Sequence, residues 1–210
     1  MTIHTLVRAA LLCASSLVFA GCSNEDPADP DGGNGGGCTG TNCPFNYSSF
    51  NGSSPAVSFR TDLMGDQGEG PNGAGGIFRR SCAFSTTCHG RPTGAKATLY
   101  VAPGLLDGTM PYAITQTDID TVLNNPTTGM INVPSKTYPS MMRVKPGDPA
   151  NSFLMVKIDG CFEGLSGCMV QPGATSNHPC GDRMPHGSSR PLCEDERDII
   201  RRWIAQGANP

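Results

Sequence analysis

The residues best suited to chemistry lie in one segment, where two cysteines are followed directly by a histidine. Cys82 and Cys88 are separated by five residues, and His89 comes immediately after Cys88. Two thiols ending in Cys-His form the pattern of a c-type haem attachment site, in which both sulfurs become thioethers and the histidine binds the iron. The usual site has two residues between its cysteines, so Cys82 and Cys88 could equally form a disulfide. The spacing leaves both interpretations open.

A second group of ligand-type residues lies further along the chain. His178, Cys180, Met184 and His186 fall within residues 178–186, and these are side chains that copper prefers. A copper site is the weaker interpretation, because we expect Cys180 to be oxidised and no structural context fixes the geometry.

Nucleophilic catalysis by Cys88 with His89 is weaker still. Adjacent residues rarely point at each other, and an oxidising compartment removes free thiols. We therefore expect that the protein is not an enzyme.

Composition indicates one domain with long loops and tails. The 210 residues include 27 glycines and 18 prolines, and only 37% are hydrophobic, so the core should be modest and benefit from covalent cross-links. The net charge is −3 and the basic residues are scattered, which argues against nucleic acid as a partner.

The first residues are typical of a secreted chain. Arg8 precedes an apolar run at residues 9–20 that is too short to span a bilayer comfortably, so we expect residues 1–21 to be a signal peptide. The run ends at Cys22 in a sequence that resembles a bacterial lipobox, which implies lipidation of Cys22. No Asp follows Cys22 directly, which by resemblance to diderm lipoproteins favours an outer-membrane anchor facing the periplasm or the cell surface.

The next segment is predicted to be a flexible tether. Residues 23–37 are acidic, rich in Pro and Gly and without a large apolar side chain, so they cannot bury surface. A flexible chain of this length reaches about 20 Å. We assign residues 22–55 to the lipidated N-terminus and tether, and residues 56–210 to the folded domain.

Eight cysteines remain after Cys13 in the signal and Cys22 at the lipid site. An even number in an oxidising compartment indicates disulfides, haem thioethers or both. Sequence neighbours suggest three pairs, although sequence alone does not fix them: Cys38 with Cys43, Cys161 with Cys168, and Cys180 with Cys193. Residues 161–193 are poor in aliphatic side chains, so we expect their four cysteines to be oxidised in pairs within that stretch.

The first predicted helix delivers the Cys-His segment. Apolar residues recur at helical spacing from Gly76 to Phe84, with Arg79 and Arg80 between them facing solvent. The Gly-rich stretch at residues 65–76 is predicted to be a surface loop, and Ala97 to Val101 alternates like a short strand.

Three further helices are predicted. Asp118 to Leu123 should form one or two turns, and Asp148 with Pro149 should start another helix. The clearest helix runs from Glu194 to Gln206, with Gly207 as its C-terminal cap. We expect the first and last helices to pack together through a small apolar set: Ile77, Phe78, Trp203 and Ile204.

Three blocks of the sequence carry a family resemblance: IFRRSCAFSTTCHG, RVKPGDPANSFLMVKIDG and DRMPHGSSRPLCEDERDIIRRWIAQGA. In this order they resemble bacterial envelope proteins with cytochrome-c-like domains, abundant in myxobacterial and planctomycete lineages. The resemblance covers most of residues 56–208. It implies a mainly α, small cytochrome-c-like domain with long disulfide-stapled loops, with haem bound by Cys82, Cys88, His89 and Met184.

The expected function is then electron transfer through one covalent c-type haem with His/Met ligation, to an unknown redox partner. A haem is a flat apolar plate that needs one ligand on each face, and the Cys-His segment and the later Met184 segment could supply them. A His/Met pair raises the reduction potential relative to a His/His pair. The alternative is a haem-free, disulfide-stabilised domain of the same fold that acts as a surface binding or structural module.

Overall fold

The structure is a computed structural model that describes residues 43–65, 76–83, 88–93, 98–103, 114–169, 178–186 and 192–210. In these segments the protein is helical and contains no strand, only isolated bridges such as that between Ile131 and Val144. The predictions for the signal peptide, Cys22, residues 22–42 of the tether, Cys38 and the inner part of the Gly-rich loop lie outside the described residues. None of the described helices has the length and apolar character needed to cross a membrane.

The helices follow the chain in a simple order. A π-helix comes first, and four α-helices follow it: Phe59–Met64, α1 Ile77–Ser81, α2 Gln116–Asn124, α3 Phe153–Asp159 and α4 Glu194–Ala205. Short 3-10 turns lie at Tyr47–Ser49 and Pro149–Asn151. This confirms the mainly α prediction.

The predicted strand at Ala97 to Val101 is wrong for its described part. The backbone N–H of Tyr100 donates to the carbonyl of Thr128 at 2.9 Å, and that of Val101 donates to His89 at 3.2 Å. These two neighbours bond to different segments, so no ladder forms.

The core forms around one aromatic cluster. Ring centroids of Phe59 and Phe78 lie 5.1 Å and 6.1 Å, respectively, from Trp203 in α4, and all three side chains are buried. The predicted contact between the first and last helices is confirmed, and the π-helix contributes the third ring. Such edge-to-face and tilted pairs are the arrangements that aromatic quadrupoles favour.

The helix α1 is shorter than predicted, and the prediction that its arginines face solvent is wrong. Arg79 is fully buried, and its guanidinium donates to the carbonyl oxygens of Pro103 and Gly65, each at 3.3 Å. Arg80 forms an ion pair with Glu196 of α4. Arg79 lies on the enclosed side of this short helix and must reach internal acceptors, whereas Arg80 is only partly buried and pairs with a carboxylate.

The helix α2 begins two residues before its predicted start because of a capping box. The Thr115 hydroxyl accepts from the Asp118 N–H at 3.1 Å, and the Asp118 carboxylate accepts from the Thr115 N–H at 2.9 Å. These two bonds satisfy N–H groups that a helix start otherwise leaves open.

The last two helices follow the sequence signals closely. Asp148 caps the 3-10 turn before α3 by accepting from the Asn151 N–H at 3.2 Å. Gly160 ends α3 in a left-handed conformation with φ of 76°. Gly207 does the same after α4 with φ of 99°, as predicted.

The disulfides differ from the predicted neighbour pairs. Cys43 bonds to Cys161, and Cys168 bonds to Cys180. Cys193 is also disulfide-bonded, so the prediction that all four cysteines of residues 161–193 are oxidised is confirmed. Pairing within that stretch is wrong for Cys161, and the three neighbour pairs are wrong. Tertiary structure, which places the bonded Cα atoms 5.4 Å and 5.0 Å apart, decides the pairing.

Candidate functional site around Cys82, Cys88 and His89

Cys82 sits at the end of α1, where the backbone turns away from the helix. Its N–H donates to the Phe78 carbonyl at 2.9 Å, and its own carbonyl accepts from the His89 N–H at 3.1 Å. The side chain is partly buried and packs against the hydrophobic core. The hydrogen bond from the His89 N–H therefore holds His89 next to Cys82, the residue that follows α1.

The thiol of Cys82 has low reactivity. Burial, reinforced by the negative charge of Glu196, raises the pKa of Cys82 to about 12, although Arg80 opposes this. A protonated thiol is a poor nucleophile and a poor metal ligand. Among the cysteines that the structure describes, Cys82 alone has a free thiol.

Cys88 is in a different oxidation state from Cys82. It is buried, with 5% of its surface exposed, and it is disulfide-bonded. Because Cys82 is free, the predicted disulfide between Cys82 and Cys88 is wrong. Instead, the hydrogen bond from the His89 N–H to the Cys82 carbonyl links this part of the chain.

His89 is held by the segment that follows it. Its Nδ1 lies 2.9 Å from the carbonyl oxygen of Leu99, and its own carbonyl accepts from the Val101 N–H. A carbonyl oxygen can only accept, so Nδ1 carries the proton, and in a neutral ring Nε2 then holds the lone pair. Such a bond to the other ring nitrogen orients metal-ligating histidines.

Met184 lies on a different segment, residues 178–186, and packs against the same hydrophobic core as Cys82. Its N–H donates to the Lys157 carbonyl at 2.9 Å, which ties this segment to α3. Met184 and Cys82 thus share one core, while His89 is bonded to residues 99–101.

Lys157 positions the Met184 segment, and sequence reasoning missed it. Its ammonium donates to the carbonyl oxygens of Cys180, at 3.0 Å, and Asp182. The ammonium also lies 5.0 Å from the centre of the Phe162 ring. Burial lowers the pKa of Lys157 to about 8, against a smaller opposing effect of Asp182. The available signal was a lysine inside the apolar run of α3.

The sequence-predicted haem ligands fit a covalent haem only in part. The orientation of His89 suits an iron ligand. A thioether, however, requires a free sulfur, and the sulfur of Cys88 is already in a disulfide. The two-thioether attachment predicted for Cys82 and Cys88 therefore does not fit this arrangement.

The copper interpretation fails on the same ground. Cys180 is disulfide-bonded, the His178 ring stacks on Phe162, and Nε2 of His186 lies 3.0 Å from the Asp182 carboxylate. Nowhere in the described part of the chain do three or more His, Cys, Asp or Glu side chains gather as a metal site.

A buried ion network around Arg201 was also missed by the sequence analysis, which gave this residue no role in the core. Its side chain is fully buried and its two terminal nitrogens pair with three carboxylates, those of Asp159, Glu194 and Asp198. Burial alone would lower the pKa of Arg201, but Asp159 and its neighbours raise it. The Phe45 ring covers the guanidinium at 3.6 Å.

A comparison of this chain with protein-family models, with curated proteins and with solved structures found no match in any of the three.

Proposed function

We propose that this protein is a cell-envelope protein whose cytochrome-c-like domain works without covalent haem, as a disulfide-stabilised binding or structural module. The observation that carries the proposal is the oxidation state of the two cysteines. Cys88 is in a disulfide and Cys82 is a protonated thiol against the core, so neither sulfur is poised to form a thioether.

The packing of Met184 supports the same proposal. Met184 and Cys82, which the family resemblance assigns to haem binding, are both partly buried and packed against the hydrophobic core. Side chains packed in this way stabilise the domain by burial and need no cofactor to complete it.

The test is a spectrum of the protein made in a host with a working haem-attachment system. We expect no Soret band after acid-acetone extraction and no pyridine haemochrome. Alkylation after unfolding without reductant should modify Cys82 but not Cys88. A covalent Soret band, or two alkylated residues in this segment, would overturn the proposal.

Electron transfer through one haem with His/Met ligation remains a second proposal, favoured by one observation. The bond between His89 Nδ1 and the Leu99 carbonyl gives the ring the tautomer and orientation of an iron ligand. When bound, a haem would supply one-electron chemistry, and His89 and Met184 would hold it.

Haem titration into the purified full chain tests this second proposal. A Soret shift that His89→Gln removes and His178→Gln leaves intact would support ligation by His89. An unchanged spectrum, or equal loss in both variants, would contradict it.

The anchoring of the protein is a separate proposal that rests on the sequence around Cys22. We propose that Cys22 carries lipid and fixes the protein to an outer membrane. Labelled palmitate should enter the wild type and not Cys22→Ala, which should leave the membrane fraction. Unlabelled wild type, or a variant that stays with membranes, would contradict this.

A further inference from the structure

Residues 43–57, the first part of the described chain, lie across the end of α3 and the side of α4. We name these residues the strap. Cys43 bonds covalently to Cys161, two residues after α3 ends, and the Cys43 sulfur lies 3.6 Å from the Asp159 carbonyl. One covalent bond therefore fixes the start of the strap to a residue 118 positions later in the sequence.

The strap's first non-covalent contact is with the ion network. The Phe45 ring lies 3.6 Å from the guanidinium carbon of Arg201. Phe45 also contacts Phe50 at 5.5 Å between ring centres. The strap therefore places an aromatic cover over a cation that is otherwise surrounded by carboxylates.

The second contact is with Gln206, just after α4. Its side-chain amide donates to the carbonyl oxygens of Gly52 at 3.1 Å and Pro55 at 2.8 Å, and accepts from the Val57 N–H at 2.9 Å. Beyond residue 57 the chain enters the π-helix and the buried core. The strap thus ends at the point where deep burial begins.

The two described disulfides differ in their access to solvent. Cys43 is exposed and Cys161 is half-buried, whereas in the other pair Cys168 is half-buried and Cys180 is fully buried, so only the first bond has an exposed cysteine. A thiolate must reach a sulfur to exchange with it, so a reductant meets Cys43 before it meets Cys180.

We infer that the bond between Cys43 and Cys161 is a redox-sensitive fastener that holds the strap on the domain. A protein or small-molecule dithiol supplies the two electrons. One of its thiolates attacks the sulfur of Cys43, and Cys161 leaves as a thiolate and takes up a proton. The second dithiol sulfur then displaces Cys43, which leaves as a thiol while the reductant becomes a disulfide.

Release of the strap has two consequences. Residues 43–57 lose their covalent link to the domain and keep only non-covalent contacts, among them the Phe45 ring on Arg201 and the Gln206 hydrogen bonds. When these weaker contacts also open, Arg201 loses its aromatic cover, and a guanidinium that is buried in the oxidised protein becomes accessible to solvent. The domain beyond residue 57 keeps its own core.

The experiment is a dithiothreitol titration of the full chain, followed by alkylation with iodoacetamide and peptide mass spectrometry. We expect Cys43 and Cys161 to be alkylated at about tenfold lower reductant exposure than Cys168 and Cys180. Equal or reversed order would overturn the inference.

Hydrogen exchange on a double variant, Cys43→Ser with Cys161→Ser, separates release from unfolding. We expect amides of residues 43–57 to exchange about tenfold faster or more, while amides of α4 stay protected. The matched control, Cys168→Ser with Cys180→Ser, should leave the strap protected. Unchanged strap protection, or loss of protection in α4 as well, would show that no separable strap exists.

Discussion

Two cations on neighbouring helices, Arg201 fully buried and Lys157 half-buried, are satisfied in opposite ways. Arg201 of α4 faces three carboxylates, whereas Lys157 of α3 donates to two backbone carbonyls. An aromatic ring lies near each, Phe45 at 3.6 Å and Phe162 at 5.0 Å. The carboxylates raise the pKa of Arg201, while burial lowers the pKa of Lys157 to about 8.

The difference shows that burial does not always lower the pKa of a cation, because the partners of the cation decide the direction. Full counter-charges compensate the loss of hydration, and carbonyl dipoles compensate it only in part. Removing one carboxylate near Arg201 should therefore lower the free energy of unfolding strongly. Deprotonation of Lys157 should instead raise it.

The largest expected effect tests the Arg201 site. Asp159→Ala leaves Arg201 and Arg197 buried with fewer counter-charges, so we expect a loss of about 3–5 kcal/mol in the free energy of unfolding. Urea denaturation measures it. Asp120→Ala, on the exposed face of α2, is the control and should change stability by about 0.5 kcal/mol or less. Equal losses in the two variants would contradict the importance of the network.

The Lys157 site predicts a pH dependence. The folded pKa of about 8 lies below the ordinary value of 10.5, so between these values the unfolded chain binds more protons. The contribution of Lys157 to stability should therefore rise with pH through this window, by on the order of 2–3 kcal/mol in total.

Urea denaturation of wild type and Lys157→Met between pH 7 and pH 10 isolates this contribution. Other groups that titrate in the window, among them the Cys82 thiol of the unfolded chain, are common to both proteins. The free energy of unfolding of the wild type, relative to that of Lys157→Met, should rise with pH. A constant difference would mean that Lys157 has an ordinary pKa.

The two aromatic covers give the smallest expected effects. Phe45→Ala removes a ring that touches a desolvated guanidinium, so we expect a loss of about 1–2 kcal/mol. Phe162→Ala removes a more distant ring and should cost about 0.5–1 kcal/mol. Thermal unfolding of both variants ranks them. The reverse order would show that ring packing, rather than contact with the cation, sets the effect.

Local chemistry made much of the helical structure predictable. Ile200, Trp203 and Ile204 recur at the spacing of one helix face, and this periodicity is independent of the rest of the fold. The capping residues before α3 and after α4 likewise act within a few residues. Such signals survive in a single sequence.

The candidate site was less predictable because its chemistry depends on distant partners. Cys43 and Cys161 are 118 residues apart, and only the folded chain brings them together. The burial of Arg79 depends on acceptors at Gly65 and Pro103, which no periodicity in α1 encodes. For the Cys82 segment, residue types predicted that Cys82 and His89 follow the first helix, but they did not predict the oxidation state of Cys82 or of Cys88.

The bonds of Gln206 join the two ends of the described chain, since they connect residues 52–57 with the residue that follows α4. Phe59 likewise packs on Trp203. A polypeptide is made from its N-terminus, so residues 52–59 must wait for their partners until α4 and Gln206 have been synthesised. Packing of these early residues is therefore tied to synthesis of α4, and a product that stops before α4 lacks the partners for its own beginning.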